Sequence, residues 1–241
     1  MIENKFNDLC CKVCGGNTKV YGIVDFNKSC EELNGKFLPY SGQAVYYHQC
    51  TNCQFIFTTD FDNWTLTDFS DKIYNDDYEL VDPEYWETRP KNLAKWIQPL
   101  LNGNKELNIF DYGAGTAVFG DELEDQGYTV DSWDPLWEDP LDESKKNSYD
   151  VVTAFEVLEH SPTPFETAKE IADFSKKGEG QLVIMTLAND IIRGEGVNYW
   201  YLAPRNGHVC MHSNKSIEIL FDKLGMYVQH LAPNTHIVSW K

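Results

Sequence analysis

Basic residues are scarce in this sequence. Its 241 residues hold 20 Lys and Arg against 38 Asp and Glu, a formal net charge of -18. A surface this negative repels phosphate backbones and anionic headgroups, so a general nucleic-acid or membrane partner is disfavoured. No Lys/Arg-rich run offers a local exception. Long apolar runs are missing too, and no stretch approaches the ~20 residues of a membrane-spanning helix. The start, Met1-Ile2-Glu3-Asn4-Lys5, lacks the charged-then-apolar pattern of a secretory signal. A soluble, cytoplasmic protein is the expectation. There is no internal repeat and no low-complexity segment. Seven cysteines in a reducing compartment do not form a disulfide framework, and their spacing points to metal.

The texture changes along the chain. Residues 1–60 are rich in Cys, Gly, Asn and Tyr, with short candidate strands at Lys19–Val24 and Ala44–His48 and no long helical pattern. Residues 61–86 form an acidic, aromatic connector. Residues 87–241 alternate between the two periodicities. Helix is expected over Leu93–Leu101, from the glycines after Asp111 through Gln126, and over Thr163–Lys176 and Ser216–Leu224. Strands are expected at Leu107–Asp111, Tyr128–Trp133, Tyr149–Phe155 and Gln181–Leu187, with a closing pair at Tyr227–His230 and His236–Trp240. Strands alternating with helices predict an α/β fold with a parallel, doubly wound, Rossmann-like sheet, preceded by a small N-terminal module.

The segment Ile109-Phe110-Asp111-Tyr112-Gly113-Ala114-Gly115-Thr116 follows an apolar strand and opens a helix. Doubly wound sheets bind nucleotide-like ligands at this place. Gly113 and Gly115 permit close backbone approach, as does the small Ala114 between them. A pyrophosphate pocket wants positive potential, which Asp111 opposes. The aspartate suits instead a ligand carrying an ammonium and a sulfonium. Asp134, after the next strand, is placed to accept two ribose hydroxyls. Val118 occupies the position of the third glycine of the dinucleotide fingerprint. Asp111-Tyr112-Gly113-Ala114-Gly115 resembles the D-x-G-x-G signature of class I S-adenosylmethionine (SAM)-dependent methyltransferases. Asp134 is similar to their second-strand acid, and Tyr149-Asp150-Val151-Val152 to their fourth-strand motif. The resemblance covers residues 87–241 and implies SAM held by Asp111, Gly113, Ala114, Gly115, Asp134 and Glu156.

Cys11-Lys12-Val13-Cys14 and Cys50-Thr51-Asn52-Cys53 are two C-x-x-C pairs. Each can present two thiolates from a tight knuckle, and together they complete a tetrahedral structural zinc site with no open position. So small a module is expected to need the metal to fold. Cys10 is out of register, and Cys30 and Cys210 look unpaired. The arrangement resembles the N-terminal zinc module of bacterial deoxysugar C-methyltransferases, which implies that the module helps form the substrate side of the active site. The chain is shorter than those enzymes, which carry a further C-terminal domain.

Glu156-Val157-Leu158-Glu159-His160 follows the strand Tyr149–Phe155. If the backbone turns helically there, Glu156, Glu159 and His160 share one face. Three readings stay open. His160 is a general base, oriented by Glu159. Alternatively Glu156, Glu159, His160 and a later histidine, His208 or His212, bind a divalent ion such as Mg²⁺ or Mn²⁺ that acidifies a hydroxyl. This E-x-x-E-H pattern resembles the metal motif of ubiquinone-biosynthesis and small-RNA O-methyltransferases. In the third, the cluster starts a helix and lines the SAM pocket. Tyr78, Tyr199 and Arg205 are candidates for the substrate side, the aromatics for a sugar ring and Arg205 for a phosphate. The expected activity is methyl transfer from SAM to a hydroxyl of a nucleotide-linked or phosphorylated sugar in polysaccharide or natural-product biosynthesis. Sugar C-methylation with His160 as base, RNA methylation and non-catalytic SAM binding are the alternatives.

Overall fold

Two sheets organise the chain in a computed structural model that describes residues 9–137, 139–191 and 194–241. The Met1–Lys5 start lies outside the described residues. Strands β1 (Thr18–Asp25), β2 (Ala44–Cys50) and β3 (Ile56–Thr58) form an antiparallel meander. The connector then makes α1 (Leu66–Lys72), whose start is fixed by a capping box between Thr65 and Asp68. Next come α2 (Thr88–Trp96) and α3 (Gln98–Leu101). The single helix expected over Leu93–Leu101 therefore begins earlier and breaks at Ile97. Pro99 has no N–H to continue the ladder.

The second sheet begins with β4 (Asn108–Tyr112). Helix α4 (Val118–Glu124) leads to β5 (Thr129–Trp133). Then come β6 (Val151–Phe155), α5 (Pro164–Phe174) and β7 (Gln181–Met185). After β8 (Cys210–Met211) and α6 (Asn214–Asp222), the chain closes with β9 (Met226–Ala232) and β10 (Thr235–Trp240). The strand order is β5-β4-β6-β7-β10-β9. The first four strands are parallel and β10 runs antiparallel to both neighbours, so the sheet is mixed where a parallel one was expected. All five residues of β6 are buried, the mark of a strand covered on both faces. The chain leaves β4 for β5 on one side and returns to β6 on the other. The carboxyl ends of β4 and β6 thus flank a topological switch point, where such sheets bind ligands.

Strand β8 does not join this second sheet. It pairs with β3, Ile56 opposite Met211 and Phe57 opposite Cys210, and completes the N-terminal sheet in the order β1-β2-β3-β8. The cores merge as well. Val13, Phe55 and Phe57 belong to one buried cluster with Val152, Ile217, Leu220 and Phe221. A division at residue 60 separates chain segments that share one core. No helix among the described residues is long and apolar enough to cross a membrane.

Candidate active site and cysteine centre

At the end of β4 the chain must turn beneath whatever occupies the crevice. Gly113 and Gly115 take φ of 76° and 54°, which a side chain resists. A Cβ at Gly113 would lie 2.5 Å from Val157 Cγ2, and one at Gly115 2.8 Å from the Tyr85 hydroxyl. The amides of Gly113 and Ala114 donate to the Trp133 carbonyl at 2.9 and 3.0 Å, locking the loop to the end of β5. Asp134 accepts from the amides of Gly115 and Leu136, each at 2.9 Å. Asp111 is buried and accepts from Thr153 Oγ1 at 2.7 Å. Burial raises its carboxyl to about 7, against the Thr153 bond that lowers it, with the nearby Asp134 charge adding to the rise. A cation placed here would restore its charge.

These groups open into a cavity of about 870 Å³, in the upper part of the ~300–1,000 Å³ typical of small-molecule sites. Its wall is shared between the two halves of the chain. Asp111, Gly115, Asp134 and Glu156 line one side; Cys30, Leu33, Leu66, Tyr74 and Tyr78 line the other.

Glu156 ends β6 with φ of 54°, a conformation that costs about 1–3 kcal/mol for a non-glycine residue. Its amide bonds the Met185 carbonyl at 2.8 Å, and a short 3₁₀ turn begins only at Leu158. The helical turn that would align Glu156, Glu159 and His160 on one face is absent. Tyr201 joins the two carboxyls instead. Its hydroxyl donates to Glu159 Oε1 and lies 3.3 Å from Glu156 Oε2. Glu159 is fully buried, and its Oε2 has no hydrogen-bond partner among the described residues. Burial holds both carboxyls above their usual range, and for Glu159 the Glu156 charge adds to the effect.

His160 Nδ1 lies 3.0 Å from the Gly207 carbonyl and 3.0 Å from the Tyr74 hydroxyl. His208 Nδ1 lies 2.7 Å from the Tyr201 carbonyl. A carbonyl can only accept, so each ring carries its proton on Nδ1 and keeps a bare Nε2. Burial lowers His160 to about 4 and His208 well below its usual value, so both rings are neutral. One ligand atom from each of Glu159, His160 and His208 lies within 4.8 Å of the others. Two neutral imidazoles with their second nitrogens anchored, beside a carboxylate, form a donor set that fits a divalent ion.

His212 stands apart from this set. It packs 4.8 Å from the Phe55 ring and 3.3 Å from Ser216 Oγ, inside the core that joins the two sheets. Of the two later histidines, only His208 reaches the crevice. Arg205 also differs from expectation. It is buried, donating to the Ile73 carbonyl at 2.8 Å and Asn75 Oδ1 at 3.1 Å, so it pins the connector and faces no phosphate. Tyr199 is buried against Trp200, and its carbonyl accepts from Lys28 Nζ at 2.9 Å; it is not on the cavity wall. Tyr78 is on the wall, 5.0 Å from the Tyr74 ring and 5.1 Å from that of Tyr85. Sequence reasoning missed the bridging role of Tyr201 and the Asp82–Arg89 ion pair on the wall. The aromatic run Tyr199-Trp200-Tyr201 was a signal for the first; nothing in the spacing marked the second.

The cysteine centre borders the core that joins the two sheets, with Cys11, Cys50 and Cys53 in the same buried cluster as Val152 and Leu220. One sulfur from each of Cys11, Cys14, Cys50 and Cys53 lies within 4.8 Å of the others. The closest pairs are 3.6 Å, Cys11 to Cys53, and 3.4 Å, Cys14 to Cys50. Tetrahedral Zn–S bonds of ~2.3 Å require sulfurs about 3.8 Å apart, so the donor set fits. The two knuckles repeat one geometry. Gly15 N bonds Cys11 O at 2.9 Å with φ of 71°, and Gln54 N bonds Cys50 O at 3.1 Å with φ of 61°. Amides of Val13, Asn52 and Cys53 point at sulfurs at 3.4 Å, as thiolates favour. Cys10 is exposed and outside the group.

A family model described as a methyltransferase domain matches residues 85–231. The chain belongs to this family. It is a SAM-dependent methyltransferase. No curated protein matches it. Among solved structures, this methyltransferase is similar to the Burkholderia thailandensis 1,6-didemethyltoxoflavin-N1-methyltransferase with bound S-adenosylhomocysteine. The two are 12% identical over 84% of this chain and 96% of that one, with a TM-score of 0.51. A SAM-dependent methyltransferase from Archaeoglobus fulgidus is 17% identical over 64% and 76%, TM-score 0.48. The Synechocystis magnesium protoporphyrin IX methyltransferase is 16% identical over 76% and 97%, also at 0.48. The first of these supports the fold over most of the chain.

Proposed function

We propose that this methyltransferase transfers the methyl group of SAM to a hydroxyl of a small molecule, a sugar being the class its aromatic wall suits. Asp111 receives the cationic end of SAM, the Gly113–Gly115 loop supports it, and Asp134 takes the ribose hydroxyls. The observation that carries the acceptor chemistry is the pair of bare imidazole nitrogens of His160 and His208 beside Glu159. An imidazole lowered to about 4 is a weak base for an unactivated hydroxyl, which favours a divalent ion at Glu159, His160 and His208 over base chemistry by His160 alone. When bound, such an ion acidifies the acceptor hydroxyl. The protein's part is to hold that oxygen in line with the methyl carbon. Transfer breaks the S–CH₃ bond and forms the O–CH₃ bond, and the hydroxyl proton passes to Glu156, the carboxylate of the Tyr201-bridged pair that the ion would leave free.

The structural zinc of the four cysteines belongs to this reading as a scaffold. Tyr74, Tyr78 and Trp200 on the wall offer ring faces and hydroxyls to a sugar. Arg205, the residue expected to pair with a phosphate, is taken up by the connector. Labelled SAM, zinc-restored protein and a sugar panel test the proposal, with and without Mg²⁺ or Mn²⁺. Label in a sugar only with the ion supports it. Metal-independent label favours His160 as base, and no label in any sugar despite SAM binding removes the sugar assignment.

A further inference from the structure

We infer that the acceptor half of the cavity selects an uncharged or amine-bearing molecule with an apolar body and excludes phosphorylated ones. The inference rests on the cavity being the acceptor site, as proposed above, and deepens it. Among the described residues, the cations on the cavity wall are Lys36 and Arg89. Both are already matched. Lys36 Nζ lies 2.6 Å from Glu31 Oε2, and Arg89 grips both oxygens of Asp82, Nη1 at 3.0 Å from Oδ2. Glu84 adds negative charge to the same wall, and Glu156 a further carboxyl, beyond Asp111 and Asp134 at the SAM end.

Three cations behind the wall are held elsewhere, Lys12 by Asp62 and the carbonyls of Thr58 and Pro162. Lys28 Nζ donates to the carbonyls of Tyr199 and Leu202, each at 2.9 Å, and Arg205 donates to the Ile73 carbonyl. Apart from a divalent ion held by Glu159, His160 and His208, whose open position the acceptor hydroxyl would take, a phosphate entering here meets no unmatched cation and loses its water without compensation. A low-dielectric cleft lined by one sign of charge concentrates the opposite sign and repels its own. The remaining wall is apolar. Leu33 and Leu66, 65% and 56% exposed, stand with Phe69 and Trp200 around the same space, ready to cover a hydrocarbon or ring face.

The test holds the body of the ligand constant and varies its head. Protein loaded with S-adenosylhomocysteine is titrated by calorimetry with hexylamine, hexanol and hexyl phosphate. Hexylamine and hexanol are expected to bind at least ~10-fold more tightly than hexyl phosphate at low salt. The gap for the amine should close as salt screens the wall. Glu84→Lys, at an exposed position, and Glu31→Gln, which releases Lys36, should each strengthen hexyl phosphate and weaken hexylamine several-fold. Hexyl phosphate binding as tightly as hexanol overturns the inference. So does failure of all three to bind, or an amine preference untouched by both variants, which would place the amine elsewhere on the acidic surface. Loss of S-adenosylhomocysteine binding itself would fail the methyltransferase site reading, and is recorded before any acceptor is added.

Discussion

Asp111 shows how one buried carboxyl ties ligand charge to pH. Among the described residues its side-chain hydrogen-bond donor is Thr153, and burial raises it to about 7. Below that pH it is protonated and loses its attraction for a cation. SAM affinity should therefore weaken as pH falls from 8 to 6, by up to about tenfold per unit. Asp111→Asn should weaken SAM binding ~10–100-fold and flatten that pH dependence, both read by calorimetry. The two later histidines separate just as cleanly. His208→Ala should cut methyl transfer ~10²-fold or more and weaken Mn²⁺ binding, while His212→Ala should cost stability and leave Mn²⁺ binding intact. The sequence placed both histidines after the same strand, and four residues of spacing could not say which one the tertiary fold would turn inward. The placement of Asp111, the two glycines and Asp134 around one crevice was legible because it follows from a strand, a turn and a fixed offset. Arg205 and Tyr199 were not, because what satisfies them lies on the connector and the N-terminal segment, far away in sequence.

Among the elements, the two-residue strand β8 carries a mechanical consequence. Cys53 is separated from β3 by two residues, β3 pairs with β8, and β8 begins two residues after His208. The N–H of Val209 donates to the Glu159 carbonyl at 2.9 Å, so β8 also braces the 3₁₀ turn that bears His160. Losing the cysteine centre should loosen β3, then β8, then His208 and Glu159. Cys14→Ser, or zinc removal by a chelator followed by Mn²⁺ restoration, should lower methyl transfer at least ~10-fold through misplacement. SAM affinity should change less than ~3-fold, because Asp111 and Asp134 hang on β4 and β5. Equal losses of both would contradict this route. The long strands and helices showed themselves by periodicity. β3 and β8 are too short to display any, and β8 follows residues whose spacing reads as loop. That is why the N-terminal segment looked like a separate module in sequence and shares a core in the structure.

For the whole molecule, buried neutral histidines set the acid limit. Burial lowers His212 to about 3, below its unfolded value of ~6.5. Its contribution to stability is present above about 6.5 and is lost as pH falls towards about 3, since the unfolded chain binds the extra proton there. Asp111 works in the opposite sense between its unfolded value and about 7. Melting temperature should fall across pH 6.5 to 4 in the wild type, and the fall should be shallower in His212→Gln. The net charge of -18 adds the expectation that RNA is neither bound nor methylated at ordinary salt.

Methyl transfer from labelled SAM to a panel of neutral and amino sugars, by wild type and His208→Ala with and without Mn²⁺, tests the central claim most directly. Label should appear in a sugar hydroxyl in the wild type, dependent on Mn²⁺, and be cut ~10²-fold or more by the substitution while SAM still binds. Undiminished labelling by His208→Ala, or labelling indifferent to the ion, would contradict it.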